Sequence, residues 1–181
     1  AAAGRPAGST PSAQPVPRSF LELKLSLAGT LESAGRWDEA LDAYDAVLEA
    51  LAGQPENRFE FLAKAWSRKA AISLWKGRSE DALRFVKKGM SFIREPSALE
   101  IEVRTVLASC HLGSGDLATA VVEYEAVLSR LADADDLVKE GQVLSNLAIA
   151  HAAAGELSQA EGRYLEAIEA HAKAGYAKGQ S

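Results

Sequence analysis

The sequence holds one cysteine and one methionine in 181 residues. A single thiol cannot build an intramolecular disulfide framework. With three histidines beside it, it leaves little material for a zinc ribbon or a Cys–His site. Aromatic residues make up 7% of the chain, few for a protein that interleaves rings with cations to stack on single-stranded nucleic acid. No apolar run approaches the roughly 18 residues that a membrane span requires. A phosphate loop is missing too, because Gly113-Ser114-Gly115 is not followed by Gly-Lys. No Ser–His–Asp or Cys–His arrangement stands out. The sequence therefore predicts no enzyme, no cofactor and no metal site.

What the chain does hold is helix former: 35 alanines and 22 leucines. The net charge is −5, which argues against general nucleic-acid binding. Its distribution is uneven. Residues 21–55 carry −5, residues 56–98 carry +5 and residues 99–171 carry −9, so a basic block lies between two acidic ones. Residues 1–18 have prolines at 6, 11, 15 and 17 and no periodicity. They are expected to form a disordered Pro/Ala linker to something upstream.

Residues 19–174 repeat. Gly35, Gly77, Gly115 and Gly155 follow one another at spacings of 42, 38 and 40. Five residues after each comes Ala40, Ala82, Ala120 or Ala160, and seven before each comes Ala28, Ala70, Ala108 or Ala148. Nine after each comes Tyr44, Val86, Tyr124 or Tyr164, and thirteen after comes Leu48, Met90, Leu128 or Ile168. Apolar residues fall at helical spacing on both sides of each glycine. Each glycine is therefore expected to end one helix with φ > 0 and turn the chain into the next. Asp38, Ser79 and Asp116 sit where second helices need caps, and Ser97 with Glu100 forms a capping box. The paired alanines lie where the two helices cross. Four units are expected, at about 20–55, 56–95, 97–134 and 136–174. Gly141-Gln142 and Gly179-Gln180 are 38 apart, so residues 175–181 read as a tail or the start of a further repeat. The second unit departs most, with Lys69 where others have leucine and Gly89 where others have Val47, Val127 and Ala167.

This pattern resembles the tetratricopeptide repeat. The family's closing proline is absent; Ala52, Arg94, Ala132 and Ala172 stand in its place. The resemblance implies an all-α fold, a right-handed α-solenoid of four antiparallel helical hairpins. It also implies that the first helix of each hairpin lines a concave groove. The residues carried over are Glu22, Leu25, Ser26, Gly29 and Glu32, then Lys64, Ser67, Arg68, Ala71, Leu74 and Trp75. They continue with Glu102, Thr105, Val106, Ser109 and Leu112, then Gln142, Ser145, Asn146, Ile149 and Ala152. From these the expected partner-binding groove is Lys64, Ser67, Arg68, Ala71, Trp75, Thr105, Ser109, Leu112, Gln142, Ser145, Asn146 and Ile149.

Lys64 and Arg68 stand at i and i+4 and could hold a carboxylate or an acidic segment. The plainer alternative is that they are solvated charges pairing with Glu60 or Glu102. Family members that clamp a peptide C-terminus also need Lys and Asn on the first helix. Leu25 and Gly29 stand there instead, so that clamp is not expected. Asn146 could hydrogen-bond an extended backbone. Trp75 reads as a binding anchor, and Trp66 as core. Arg84, Lys87, Lys88 and Arg94 form a possible second basic surface on the outer face. His111, His151 and Cys110 read as packing residues rather than ligands.

The resemblance implies a non-catalytic module that binds a protein or peptide in its groove. It is expected to be the regulatory or sensor part of a larger, cytoplasmic, bacterial signalling or transcription-regulator protein. Direct nucleic-acid or membrane contact is not expected. Two alternatives stay open: a self-associating or spacer element, and a sensor of a small ligand or signalling peptide. The last hairpin has no polar capping helix, and its face at Tyr164, His171 and Ala174 is expected to be exposed and able to form a homodimer.

Overall fold

A computed structural model describes residues 15–53, 58–132 and 136–179, the last four of these by backbone alone. Eight helices follow one another: α1 (Arg18–Ser33), α2 (Trp37–Ala50), α3 (Phe59–Trp75), α4 (Ser79–Met90), α5 (Ala98–Ser114), α6 (Leu117–Leu131), α7 (Leu137–Ala153) and α8 (Leu157–Gly179). Among the described residues there is no strand. The helices pair as four antiparallel hairpins, α1–α2, α3–α4, α5–α6 and α7–α8, and each hairpin packs on the next. This is the helical solenoid that the periodicity predicts.

The turn is the same four times. The glycine takes φ of 72°, 73°, 83° and 80° at Gly35, Gly77, Gly115 and Gly155, a conformation that a Cβ disfavours. The next residue's N–H then reaches back to a carbonyl five residues earlier: Arg36 to Leu31, Arg78 to Ser73, Asp116 to His111 and Glu156 to His151, at 2.8–2.9 Å. These bonds satisfy carbonyls that the ending helix leaves open. At the crossing itself, Ala28, Ala40, Ala70, Ala82, Ala108, Ala120 and Ala148 are fully buried and Ala160 nearly so.

Caps follow the expectation in part. Asp116 accepts from the Thr119 N–H at 3.3 Å and Ser97 from the Glu100 N–H at 3.2 Å. Asp38 and Ser79 do not cap. They already lie within the first turns of α2 and α4, and the cap positions are Arg36 and Arg78, which offer no acceptor side chain. The Ser97 box is one-sided, because the Glu100 carboxylate turns instead to Arg104 and Arg130, at 3.2 and 3.1 Å. Asp136 caps α7 through the Lys139 N–H at 3.0 Å; its neighbour Asp135 lies outside the described residues. Two boundaries shift as well. Arg18 opens α1 and Val16 packs against the first core cluster, so this stretch is not linker; residues 1–14 lie outside the described ones. At the other end α8 runs unbroken to Gly179, so residues 175–179 continue the fourth hairpin. Gln180 and Ser181 lie outside the described residues.

Neighbouring hairpins meet at three joints that differ in chemistry. The first carries four ion pairs: Glu32–Arg68, Asp45–Lys69, Asp38–Lys76, and Arg18–Glu60 at 2.8 Å. Three of them join an acid of the first hairpin to a base of the second, which is what the −5 and +5 sequence blocks become in space. The second joint has an apolar cluster around Val86, Val103 and Cys110, with one hydrogen bond from Ser79 Oγ to the Gly113 carbonyl at 3.2 Å. The third carries two long pairs, Lys139–Glu102 at 4.0 Å and Arg163–Glu125 at 3.8 Å.

The second hairpin's oddities have physical reasons. Lys69 is buried beside Asp45, with its ammonium 5.3 Å from the Trp66 ring and 5.0 Å from that of Phe85, so aromatic faces and one carboxylate replace water around it. At Gly89 a Cβ would stand 3.1 Å from the Ala63 carbonyl oxygen and 3.3 Å from the Trp66 Cβ. The missing side chain lets α4 lie close on α3. Gly89→Val, which writes in the residue found in the first and third units, should therefore destabilise the protein by about 1–3 kcal/mol; urea unfolding checks it.

Burial raises the Cys110 thiol from its ordinary 9.0 to about 12. Burial, then the neighbouring Glu32 charge, raises the Tyr44 phenol from 10.0 to about 12. In each case the folded protein keeps a proton that the unfolded chain loses first. The contribution of these two groups should thus be constant below about pH 9 and fall above it, by about 1.4 kcal/mol per pH unit for each group in its window. Cys110→Ala should remove the part that begins near pH 9, and denaturant titrations across alkaline pH would show whether it does.

Candidate functional site

Consecutive first helices touch one another, α3 with α5 and α5 with α7, while the second helices make no comparable contact. The array therefore curves with the first helices inside. On that side two cavities of about 410 and 330 Å³ adjoin, sharing Lys64, Leu99 and Glu102. Together they make one groove from α1 to α7.

Counted from the turn glycine, three columns build it. Thirteen before stand Glu22, Lys64, Glu102 and Gln142. Ten before stand Leu25, Ser67 and Thr105, and nine before stand Ser26, Arg68, Val106 and Asn146. These offsets place one stripe of each first helix toward the concave side. Of the expected groove residues, Lys64, Ser67, Arg68, Thr105, Gln142 and Asn146 come together here.

The others do not line these cavities. Ser109 shares its hydroxyl with the Tyr124 phenol at 2.9 Å, inside its own hairpin. Leu112 packs against the core cluster of Ala108, Ala120 and Tyr124. Ala71 and Ile149 sit one turn further along, outside both cavities, with Ile149 45% exposed, and the Ser145 hydroxyl donates to the Gly141 carbonyl at 2.9 Å. Trp75 is 79% exposed but stacks on Trp37, ring centres 6.4 Å apart and planes 14° from parallel. It bridges two turns at the edge of the array, away from the groove.

Arg68 is the largest departure from the sequence reading. Its partner is neither Glu60 nor Glu102 but Glu32, one hairpin back, with Nε to Oε2 at 3.0 Å. The Tyr44 hydroxyl donates to the same Oε2 at 3.1 Å. Burial works against the Arg68 charge, yet the Glu32 hydrogen bonds and charge outweigh it and hold its pKa above the ordinary value. Arg68 is thus committed to holding the first two hairpins together. Lys64, Gln142 and Asn146 are different: among the described residues none makes a side-chain hydrogen bond or ion pair. Leu99 and Lys139 are groove residues the sequence reading passed over. Both stand sixteen before the turn glycine, as Phe61 does, so the repeat column could have supplied them.

The outer basic surface has a shape of its own. Trp66 and Phe85 pack with ring centres 5.5 Å apart and, with Arg84, Lys87 and Lys88, line a notch of about 620 Å³. Arg84 lies over Phe85, Lys88 over Phe92 and Arg94 over Phe59, at 5.2, 5.4 and 4.5 Å. Aromatics are scarce in the chain but gather here, and Trp66 is a half-buried wall of this notch rather than core. His111 and His151 share a turn position, each with its Nδ1 on an acid five residues on, Asp116 at 3.1 Å and Glu156 at 2.6 Å. Among the described residues, no three His, Cys, Asp or Glu side chains converge as metal ligands would, and no helix is long and apolar enough to cross a membrane.

Residues 23–59 match the family model described as Tetratricopeptide repeat. No curated protein sequence matches the chain. Solved structures share the fold at low identity. BtubC (BKLC) from P. vanneervenii is 21% identical, with a TM-score of 0.75 over 91% of this chain and 68% of that one. A Rap protein complexed with Competence and Sporulation Factor is 12% identical, with a TM-score of 0.70 over 84% of this chain and 43% of that one. MamA from Desulfovibrio magneticus RS-1 is 16% identical, with a TM-score of 0.61 over 86% and 78%. The chain is thus a tetratricopeptide-repeat-like helical solenoid, and it spans less than half the length of the Rap protein.

The Glu32–Arg68–Tyr44 cluster can be tested on its own. Glu32→Ala leaves a half-buried guanidinium without its carboxylate and should cost about 1–2 kcal/mol, discounted because Arg68 is partly in water. Arg68→Ala should cost a similar amount and the double variant little more. A double-mutant cycle by chemical denaturation reads this directly.

Proposed function

We propose that this chain is a non-catalytic protein-interaction module that holds an extended peptide segment of a partner in its concave groove. One observation carries the reading. Lys64 on α3 and Gln142 and Asn146 on α7 line the groove, on either side of α5, with their hydrogen-bonding groups unused among the described residues. An extended backbone presents donors and acceptors to both amides, and a side-chain or terminal carboxylate would meet Lys64. Arg68 takes no part, because Glu32 occupies it. The Rap protein of similar fold, which its structure describes as complexed with Competence and Sporulation Factor, supports the same use of the architecture. The reading extends to a regulatory or sensor role within a larger cytoplasmic signalling or transcription-regulator protein.

The test is binding of a peptide array with free C-terminal carboxylates to the parent chain, to Lys64→Glu and to Asn146→Ala, with the outer-face Arg84→Glu as a control. Both groove variants should bind the selected peptides about tenfold more weakly, equivalent to about 1.4 kcal/mol, and the control should not change. Peptides that bind both groove variants as well as the parent, or an array in which nothing binds the parent, would overturn the groove reading.

A further inference from the structure

The outer face of the second hairpin carries a notch that neither the joints nor the groove use. Trp66 stands two residues from Lys64, which turns it about 200° around α3, away from the groove. Its ring packs against Phe85 of α4, and the two rings form the apolar wall of the notch of about 620 Å³.

The repeat register shows what this wall replaces. Trp66 lies eleven before its turn glycine and Phe85 eight after it. In the third hairpin these columns hold Arg104 and Glu123, which close on each other as an ion pair at 2.7 Å. In the first they hold Lys24 and Ala43, and in the fourth Leu144 and Arg163. Three hairpins form without a ring at either column, so the fold does not require the pair.

The cations beside the wall are just as confined to one unit. Lys87, Lys88 and Ser91 stand ten, eleven and fourteen after the glycine. The other units place no base in those columns. They carry Asp45 and Glu49 in the first unit, Glu125 in the third, and Glu166 and Glu169 in the fourth. Arg84 lends its stem to the notch, but its charge is answered by Asp81 at 2.7 Å. Lys69, against the same rings, is answered by Asp45. Lys87 and Lys88 are exposed and make no ion pair among the described residues. The notch lining therefore offers an apolar wall, two unanswered ammonium groups and no carboxylate.

We propose that this notch is a second protein-binding site, which takes an acidic segment of a partner with one large apolar residue set between Asp or Glu. The apolar side chain loses water against Trp66 and Phe85, and the flanking carboxylates meet Lys87 and Lys88. A nucleic acid suits the site less well. A base stacking on Phe85 would have to displace the Arg84 guanidinium, which lies over that ring at 5.2 Å. Two free cations within one turn match two carboxylates, and the acids in the same columns of the adjoining hairpins repel a longer polyanion.

The test is fluorescence anisotropy of the 181-residue chain with an array of labelled, C-terminally amidated peptides. Each sets one Trp, Phe or Leu between acidic residues, at adjacent or helical spacing. Matched peptides carry Ala in place of that anchor, and a short oligothymidylate supplies phosphates. The tightest peptides should bind Lys87→Glu/Lys88→Glu about tenfold more weakly than the parent, and loss of the anchor should weaken them by about as much. Lys173→Glu, at an exposed lysine of α8, should bind as the parent does, and circular dichroism verifies folding. The proposal fails if nothing in the array binds the parent, if the double variant binds equally well, or if peptides without the anchor bind as tightly. It also fails if oligothymidylate binds as tightly as the best peptide and is lost in the same variant, which marks a phosphate site. Amidation withholds the terminal carboxylate and Lys64 is unchanged throughout, so failure here leaves the groove reading standing.

Discussion

Eight alanines fix how closely the two helices of each hairpin can cross, and the rest of the molecule is arranged around that distance. With a methyl on each side the helix backbones approach to contact, leaving no room for water at the crossing. The glycine turn then returns the chain at one angle four times over. Because the crossing is the same in every unit, larger residues beyond it fall at the same height in every unit. That repetition lets Tyr44, Val86 and Tyr124 seal successive joints. It also lines up positions thirteen, ten and nine before the glycine as a continuous groove. A larger side chain at any of these alanines would act first on hairpin geometry and only through it on the groove.

The groove's chemistry is what remains after the joints have taken their share of polar groups. The first joint draws in Glu32, Arg68 and Tyr44, so the strongest cation on the concave side is neutralised by the chain itself. Lys64, one turn away, makes no ion pair among the described residues, although Glu22, Glu60 and Glu102 line the same cavity. Further along, Gln142 and Asn146 are neutral. The groove lining therefore mixes cations (Lys64 and Lys139) with the acids Glu22, Glu60 and Glu102, which matches a peptide better than a polyanion. The strong positive field sits on the convex side instead, where Lys87 and Lys88 flank the Trp66–Phe85 notch.

Local signals were legible in sequence, and long-range pairings were not. Gly, Ala and Tyr columns at fixed offsets gave the hairpins, the turn and the crossing, because each is a contact between residues close in the chain. The groove columns needed more than periodicity: Lys64, Arg68, Gln142 and Asn146 were carried over from the family resemblance, which assigns the inner face to the first helices. The misses share a cause. Arg68 chose Glu32 over nearer acids because the joint brings residues 36 apart into one layer, and helical spacing within α3 cannot show that. Trp75 found Trp37 for the same reason. Asp38 and Ser79 failed as caps through a shift of one or two residues in where α2 and α4 begin, which residue type alone does not fix.

The unequal joints have a mechanical consequence. In a stacked array each hairpin responds mainly to its immediate neighbours, so the joints act as separate springs in series. The first is fastened by four ion pairs, and added salt screens it. The second rests on buried Val86, Val103 and Cys110, and salt leaves that contact largely untouched while cooling weakens it. The first joint also rests on an apolar cluster, in which Tyr44 and Val47 meet Phe61, Leu62 and Ile72, so salt acts on its ion pairs alone while cooling weakens the apolar contacts of both joints.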